Sequence, residues 1–212
     1  LIIENCNSAW DGGGIYSLGS SLLMDNIVLS NNSADQYGGG IRFDSDSDQN
    51  TLTILNSLVQ FNSTGNNGAG ITIFDATAVI TNTDIKENTA NSGFGGGLYG
   101  NNVQIAISDF NVSGNSAPNS GSGLGGGIYL ENSSGSMEAG NVFNNNAFQG
   151  GGLFLQQQTV IEMERISIYN NIASQDGGGM SLVSHSNPHL NNCTIVNNIC
   201  QGGSGTQGGG IS

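Results

Sequence analysis

The stretch FNNNAFQGGGLFL, residues 143–155, sets three consecutive glycines between an asparagine-rich block and an apolar patch. Glycine loses more backbone entropy on folding than any other residue. A run of three is therefore either a flexible linker or a place where geometry excludes a side chain. Recurrence decides between them. Triplets end at Gly14, Gly40, Gly97, Gly127, Gly152, Gly179 and Gly210, and Gly68-Ala69-Gly70 is an eighth member. Successive third positions lie 25–31 residues apart. Each is followed by an apolar residue: Ile15, Ile41, Ile71, Leu98, Ile128, Leu153, Met180 and Ile211.

The block before the triplet recurs too. Aligned on Ala9, Ala34, Thr64, Ala90, Ala117, Ala147, Ala173 and Cys200, the residue two places earlier is always asparagine: Asn7, Asn32, Asn62, Asn88, Asn115, Asn145, Asn171 and Asn198. In the seven later copies the fifth residue before the anchor is aliphatic (Leu29, Val59, Ile85, Val112, Val142, Ile168, Ile195). The tenth before it is apolar (Met24, Ile54, Ile80, Ile107, Met137, Met163, Leu190). The eighth is Asn26, Asn56, Asn82, Asp109, Ala139, Arg165 and Asn192, which reads as a second, weaker asparagine ladder.

Within each unit the apolar residues alternate with polar ones, as in Val103-Gln104-Ile105-Ala106-Ile107, and period 2 means strand. A short all-strand unit cannot bury its apolar face alone, so units stack. The expected fold is all-β: a right-handed parallel β-helix of about seven to eight rungs of 25–31 residues, with handedness following the crossover preference of parallel strands. A leucine-rich repeat lacks support because its leucine spacing is missing, and a propeller blade needs about 40 residues or more. Stacked asparagines can bond amide to amide from rung to rung, and the glycines fit a corner with positive φ or no room for a Cβ. Residues 1–212 read as a single repeat segment, and because Leu1 falls inside a repeat it is expected to belong to a longer array.

Phe143-Asn144-Asn145-Asn146 followed by Gly150-Gly151-Gly152-Leu153 resembles the paired FxxN and GG[A/G][I/L/V] motifs of chlamydial polymorphic outer membrane proteins. Tyr169-Asn170-Asn171-Ile172 and Val196-Asn197-Asn198-Ile199 are looser copies. The chain is also similar to bacterial and protist surface proteins with right-handed parallel β-helices. The resemblance spans the whole chain and implies secretion to the cell surface and an adhesive or structural role.

Composition narrows the partners. The chain has three cations, Arg42, Lys86 and Arg165, and a formal charge of −13, which leaves no clustered positive surface for nucleic acid or anionic lipid. No apolar run approaches the ~20 residues of a membrane span, so direct membrane insertion is not expected. The function that follows is a rigid extracellular stalk, surface spacer or fibre subunit, whose partners are neighbouring rungs, copies of the same protein, glycans or surface receptors. The alternative is a carbohydrate-binding or carbohydrate-cleaving domain. A lyase needs a base and clustered cations, which three scattered residues do not supply. A hydrolase needs two carboxylates facing a groove, for which Asp25, Asp84 and Asp109 are the candidates. Asp109, however, stands in the asparagine row and reads as structural, so catalytic residues are not expected.

Four smaller features carry candidate sites. Asp44, Asp46 and Asp48 set three carboxylates at alternating positions, the oxygen-rich pattern calcium takes. No glycine or glutamate stands where an EF-hand loop requires it, so no cofactor is expected and a solvated loop is the preferred reading. Tyr16, Tyr99, Tyr129 and Phe154 each follow the residue after a triplet, so alternation points them outward as an exposed aromatic ladder able to touch a partner. Sequons at Asn31, Asn62, Asn111 and Asn132 are glycosylation candidates, with Asn132 in a linker the best. Cys193 and Cys200 share a rung and could form a disulfide. Cys6 lies roughly 34 Å away at ~4.8 Å per rung, beyond the ~7 Å reach of a disulfide.

Overall fold

A computed structural model describes residues 1–46, 50–118, 121–203 and 205–212. Among the described residues every regular element is a strand, and every strand pairing is parallel and joins one turn to the next. The result is a parallel β-helix of about seven turns.

Three walls enclose the core. The first is a seven-stranded sheet that follows the glycine corners: Ile15–Leu18, Ile41–Asp44, Ile71–Phe74, Leu98–Asn101, Ile128–Glu131, Leu153–Gln156 and Met180–Leu182. The second is a thirteen-stranded sheet in which each turn contributes two short strands, such as Thr77–Thr81 and Asp84–Lys86. In Ser134–Phe143 and Val160–Tyr169 the two run together. The third is an eight-stranded sheet of two-residue strands such as Thr89–Ala90 and Ser116–Ala117.

The apolar rows expected from the repeat fill the tube. Leu29, Val59, Ile85, Val112, Val142 and Ile168 have no exposed surface, nor do Ile41, Ile71, Leu98, Ile128, Leu153 and Met180. Burying a side chain of this size contributes roughly 1.5–3 kcal/mol, and stacking repeats that gain each turn.

Each corner is made by a left-handed residue. In one turn these are Asn82, Glu87, Gly95 and Asn102, with φ of 48°, 54°, 64° and 55°. Asparagine and aspartate tolerate this region better than other residues with a side chain. The row Asn26, Asn56, Asn82, Asp109, Ala139, Arg165, Asn192 is such a corner, with φ between 48° and 56°. Backbone geometry is its common requirement, which explains how Ala139 and Arg165 belong to it. Amide stacking is confined to its first turns, where Asn82 donates to Asn56 and Asn56 to Asp25, both at 2.8 Å.

The second asparagine row is a true ladder. The Nδ2 of Asn88 donates to Asn115 Oδ1 at 2.9 Å and to the Val59 carbonyl at 3.0 Å, and the Asn88 backbone N–H donates to the same Asn115 Oδ1 at 3.0 Å. The pattern repeats from Asn32 through Asn62, Asn88, Asn115 and Asn145 to Asn171, so both donors and both lone pairs of each inner carboxamide are used. The first turn is shifted by one residue from the repeat alignment. Asn7 pairs with Ser33, and Cys6 takes the ladder position, its backbone N–H donating to Asn32 Oδ1 at 3.0 Å.

The glycine triplet divides its work. The first glycine takes positive φ, +64° at Gly95. A Cβ on the second, Gly96, would lie 2.5 Å from the Gly126 and Ser116 carbonyl oxygens. A Cβ on the third, Gly97, would lie 2.6 Å from the Gly127 carbonyl oxygen and 3.0 Å from the Asn115 carboxamide. The third glycine is the surface against which the asparagine ladder packs.

Candidate functional site

Among the described residues the tube is filled by side chains, so a site has to be sought on the outer faces of the walls. On the first wall, Tyr16, Arg42, Thr72, Tyr99, Tyr129, Phe154 and Ser181 form one outward row in register. The rings do stack: Tyr99 and Tyr129 centroids are 5.1 Å apart, and Tyr129 and Phe154 are 5.6 Å apart.

The expected exposure of this row is corrected by the structure. Tyr99, Tyr129 and Phe154 keep 5 %, 0 % and 3 % of their surface. The reason lies in the glycine corner. The chain runs back across the outer face of the first wall before turning through the triplet, and lays Phe94, Leu124 and Gln149 over the row in a ladder of their own. Phe94 stacks on Tyr129 at 5.0 Å. The rings thus form a second small core outside the tube. Tyr16 is half exposed and meets the Arg42 guanidinium 5.6 Å from its ring centroid.

Arg42 ends the aromatic column. It also lies over Tyr37 and Phe74 at 4.9 and 5.2 Å, and its charge is met by Asp44 at 2.7 Å and by Asp11. Burial disfavours its charge, but the hydrogen bonds it donates to Asp44 and Asp11 more than offset this and hold its pKa above the usual value. Asp44 is therefore committed to an arginine rather than to calcium. Asp46 accepts a hydrogen bond from Asn50 Nδ2 at 3.0 Å, and Asp48 lies outside the described residues. Among the described residues no group of three His, Cys, Asp or Glu side chains could hold a metal ion.

The phenol groups lie at the edge of the first wall beside the row Asn101, Glu131, Gln156. Tyr129 Oη donates to Glu131 Oε2 at 3.2 Å and accepts from Gln156 Nε2, and Asn101 Nδ2 donates to Glu131 Oε2 at 3.0 Å. Burial pushes the Tyr99 phenol up to about 12, with Glu131 adding to the effect, and pushes Tyr129 further in the same direction.

Next to this edge runs a groove over the corner between the first and second walls. Its floor is the left-handed residues Asp75, Asn102 and Asn132, with φ of 53°, 55° and 48°. Asn102 Nδ2 donates to Asp75 Oδ1 at 2.8 Å. Gln104 and Ser134 complete a depression of about 190 Å³. Asn132 also borders a second depression, with Gln157, Gln158, Ser184 and His185. Carboxamides and hydroxyls dominate the lining. The repeat alignment missed this groove because it falls in the linker of variable length, where Gln157-Gln158 and Ser184-His185 put two left-handed residues where other turns have one.

The remaining sequence candidates are dispersed. Asp25 and Asp84 each accept from an asparagine of the next turn, and Asp109 is a corner residue, so they do not converge on a groove. Asn62 is 1 % exposed inside the ladder, which removes it as a glycan acceptor. Asn111 is half-buried between Asp84 and Asn141, while Asn31 and Asn132 are exposed. Cys193 and Cys200 are unpaired: Cys193 packs against the core behind the second wall, and Cys200 is in the third wall with its thiol on the Gln175 carbonyl. His189 pairs with Glu162 at 2.7 Å, while His185, four residues earlier, lines the second depression.

Comparison with protein families matched residues 47–211 to the right handed beta helix region. The chain belongs to that family. Searches of curated proteins and of solved structures gave no match. Right-handed β-helices include both enzymes and non-enzymes, so the activity has to be argued from this chain's own surface.

Proposed function

We propose that this β-helix is a structural and adhesive element of the cell exterior, a rigid stalk, surface spacer or fibre subunit. The observation that carries the reading is the unbroken carboxamide ladder from Asn32 to Asn198. A buried polar chain with every inner group satisfied resists bending, because any slip leaves donors without acceptors in a dry environment. On the walls Asp25 and Asp84 are tied to asparagines, Asp44 to Arg42 and Glu138 to Arg165, in keeping with a supporting role. Incubation of the chain with neutral and acidic polysaccharides, followed by an assay for new chain ends, should show no cleavage. Depolymerisation that is lost on Glu131→Gln or Asp75→Asn would overturn the reading in favour of an enzyme.

A second reading, a carbohydrate-binding domain, is favoured by the groove over Asp75, Asn102 and Asn132. Each carboxamide there offers a donor and an acceptor, the pairing that hydroxyl-rich ligands require. On a glycan array, Asn102→Ala should weaken any binding at this groove about tenfold. Binding that the substitution leaves unchanged counts against the groove.

A further inference from the structure

The strand of the second wall next to the asparagine ladder carries another outward row in register: Glu4, Ser30, Gln60, Lys86, Ser113, Phe143, Tyr169 and Val196. The neighbouring strand of the third wall carries Asn7, Ser33, Ser63, Thr89, Ser116, Asn146, Ile172 and Ile199. Both rows are polar for their first five turns. Both become apolar over the last turns. Phe143 and Tyr169 stack with centroids 4.9 Å apart and an interplanar angle of 3°. Val196 and Ile199, in the last turn, keep 45 % and 49 % of their surface, and Val196 points outward by alternation with Ile195, which packs against the core. Phe143, Tyr169 and Ile172 are half-buried and belong to neither core cluster.

We propose that Phe143, Tyr169, Val196, Ile172 and Ile199 form a lateral contact between two copies of this chain. Charge selects the partner. The chain carries −13, and Arg42 and Arg165 are each paired with two carboxylates. Lys86, on the same row, is two turns away from Phe143. Two such chains repel one another over most of their surface. Around the strip, Asn141, Asn144, Asn146, Ser167, Asn170, Thr194 and Asn197 are all uncharged, so this is a face on which a second copy can rest without opposing charges of like sign. A strip three turns long and two short strands wide covers a few hundred Å², against the roughly 800 Å² per partner of a stable complex. The pair is therefore weak in solution and becomes effective where rods are held side by side and the local concentration is high. The contact goes beyond the stalk reading and does not depend on it, since a glycan-binding rod would pair in the same way.

Sedimentation equilibrium of the whole chain from about 10 µM to about 1 mM tests this. A concentration-dependent dimer is expected. Tyr169→Ser with Ile172→Asn, which restores the polar character of the earlier turns, should weaken it at least about tenfold. Asn146→Glu, a solvent-facing change that leaves every core contact in place, should do the same by setting like charges against each other. A chain that stays monomeric through the range overturns the proposal, as does association that both variants leave unchanged, which would indicate end-to-end stacking or another face.

Discussion

Two outward rows of this β-helix have the same origin and opposite fates. Tyr99, Tyr129 and Phe154 on the first wall, and Phe143, Tyr169 and Val196 on the second, are both in-register stacks pointing away from the tube. The first is sealed, whereas on the second Phe143 and Tyr169 are half-buried and Val196 is exposed. Alternation along a strand says which face a side chain leaves by. It does not say whether another segment passes over that face. On the first wall the returning chain does so because three glycines let it turn back almost in contact with the strand it feeds: a Cβ on Gly125 would lie 2.5 Å from the Ile128 carbonyl oxygen. On the second wall the corner is a single left-handed residue, Asn144 or Asn170, and the chain moves directly on to the third wall.

The largest effect is expected where the two regions share a support. Asn115 lies between them, its carboxamide against Gly97 on one side and bonded to the Ile85 carbonyl on the other. Asn115→Ala leaves the Asn88 backbone N–H and Nδ2 without their acceptor in a dry interior. A loss of about 4 kcal/mol is expected in chemical denaturation. A loss under about 1 kcal/mol would mean the ladder is incidental.

The comparison itself is broken most directly by matched substitutions. Tyr129→Ser empties the middle of the sealed column and should cost about 3 kcal/mol. Tyr169→Ser on the second row should cost about 1 kcal/mol or less, mainly the stacking with Phe143. Equal losses would show that the two rows are equally buried.

A smaller effect should appear with alkali. The Tyr99 phenol is raised to about 12 when folded, from an unperturbed value of 10.0. The unfolded chain ionises first, so this contribution to stability is fully present below pH ~10 and is lost as pH rises toward ~12. Thermal melts across that window should show the loss, and Tyr99→Phe should diminish it. A melting temperature that is flat across the window would contradict the burial of the phenol.

Much of the fold was legible because stacking imposes the same demand on every turn. The rows Leu29 to Ile195 and Ile41 to Met180 occupy one place in the tube, so each repeat shows the same residue type there. The asparagine ladder was legible for the same reason, since Asn62 and Asn115 serve the same two neighbours. What escaped reading depends on contacts that differ between turns. Phe94 and Leu124 cover the column from a spacer whose composition varies, and Tyr37, Asn67 and Gln149 stand at the same place elsewhere. The groove over Asn102 and Asn132 lies in linkers that could not be aligned. The first turn was misread by one residue because Cys6, not an asparagine, ends the ladder. The row at Phe143 and Tyr169 was visible as the aromatic of the FxxN-like block, but its partner positions in earlier turns are polar, so no ladder was apparent.

Hydroxyl-radical footprinting of the native chain tests the difference between the rows residue by residue. Phe143 and Tyr169 should be oxidised readily, while Tyr99, Tyr129 and Phe154 stay protected until the chain unfolds. Comparable labelling of Tyr129 and Tyr169 in the folded chain would contradict the account.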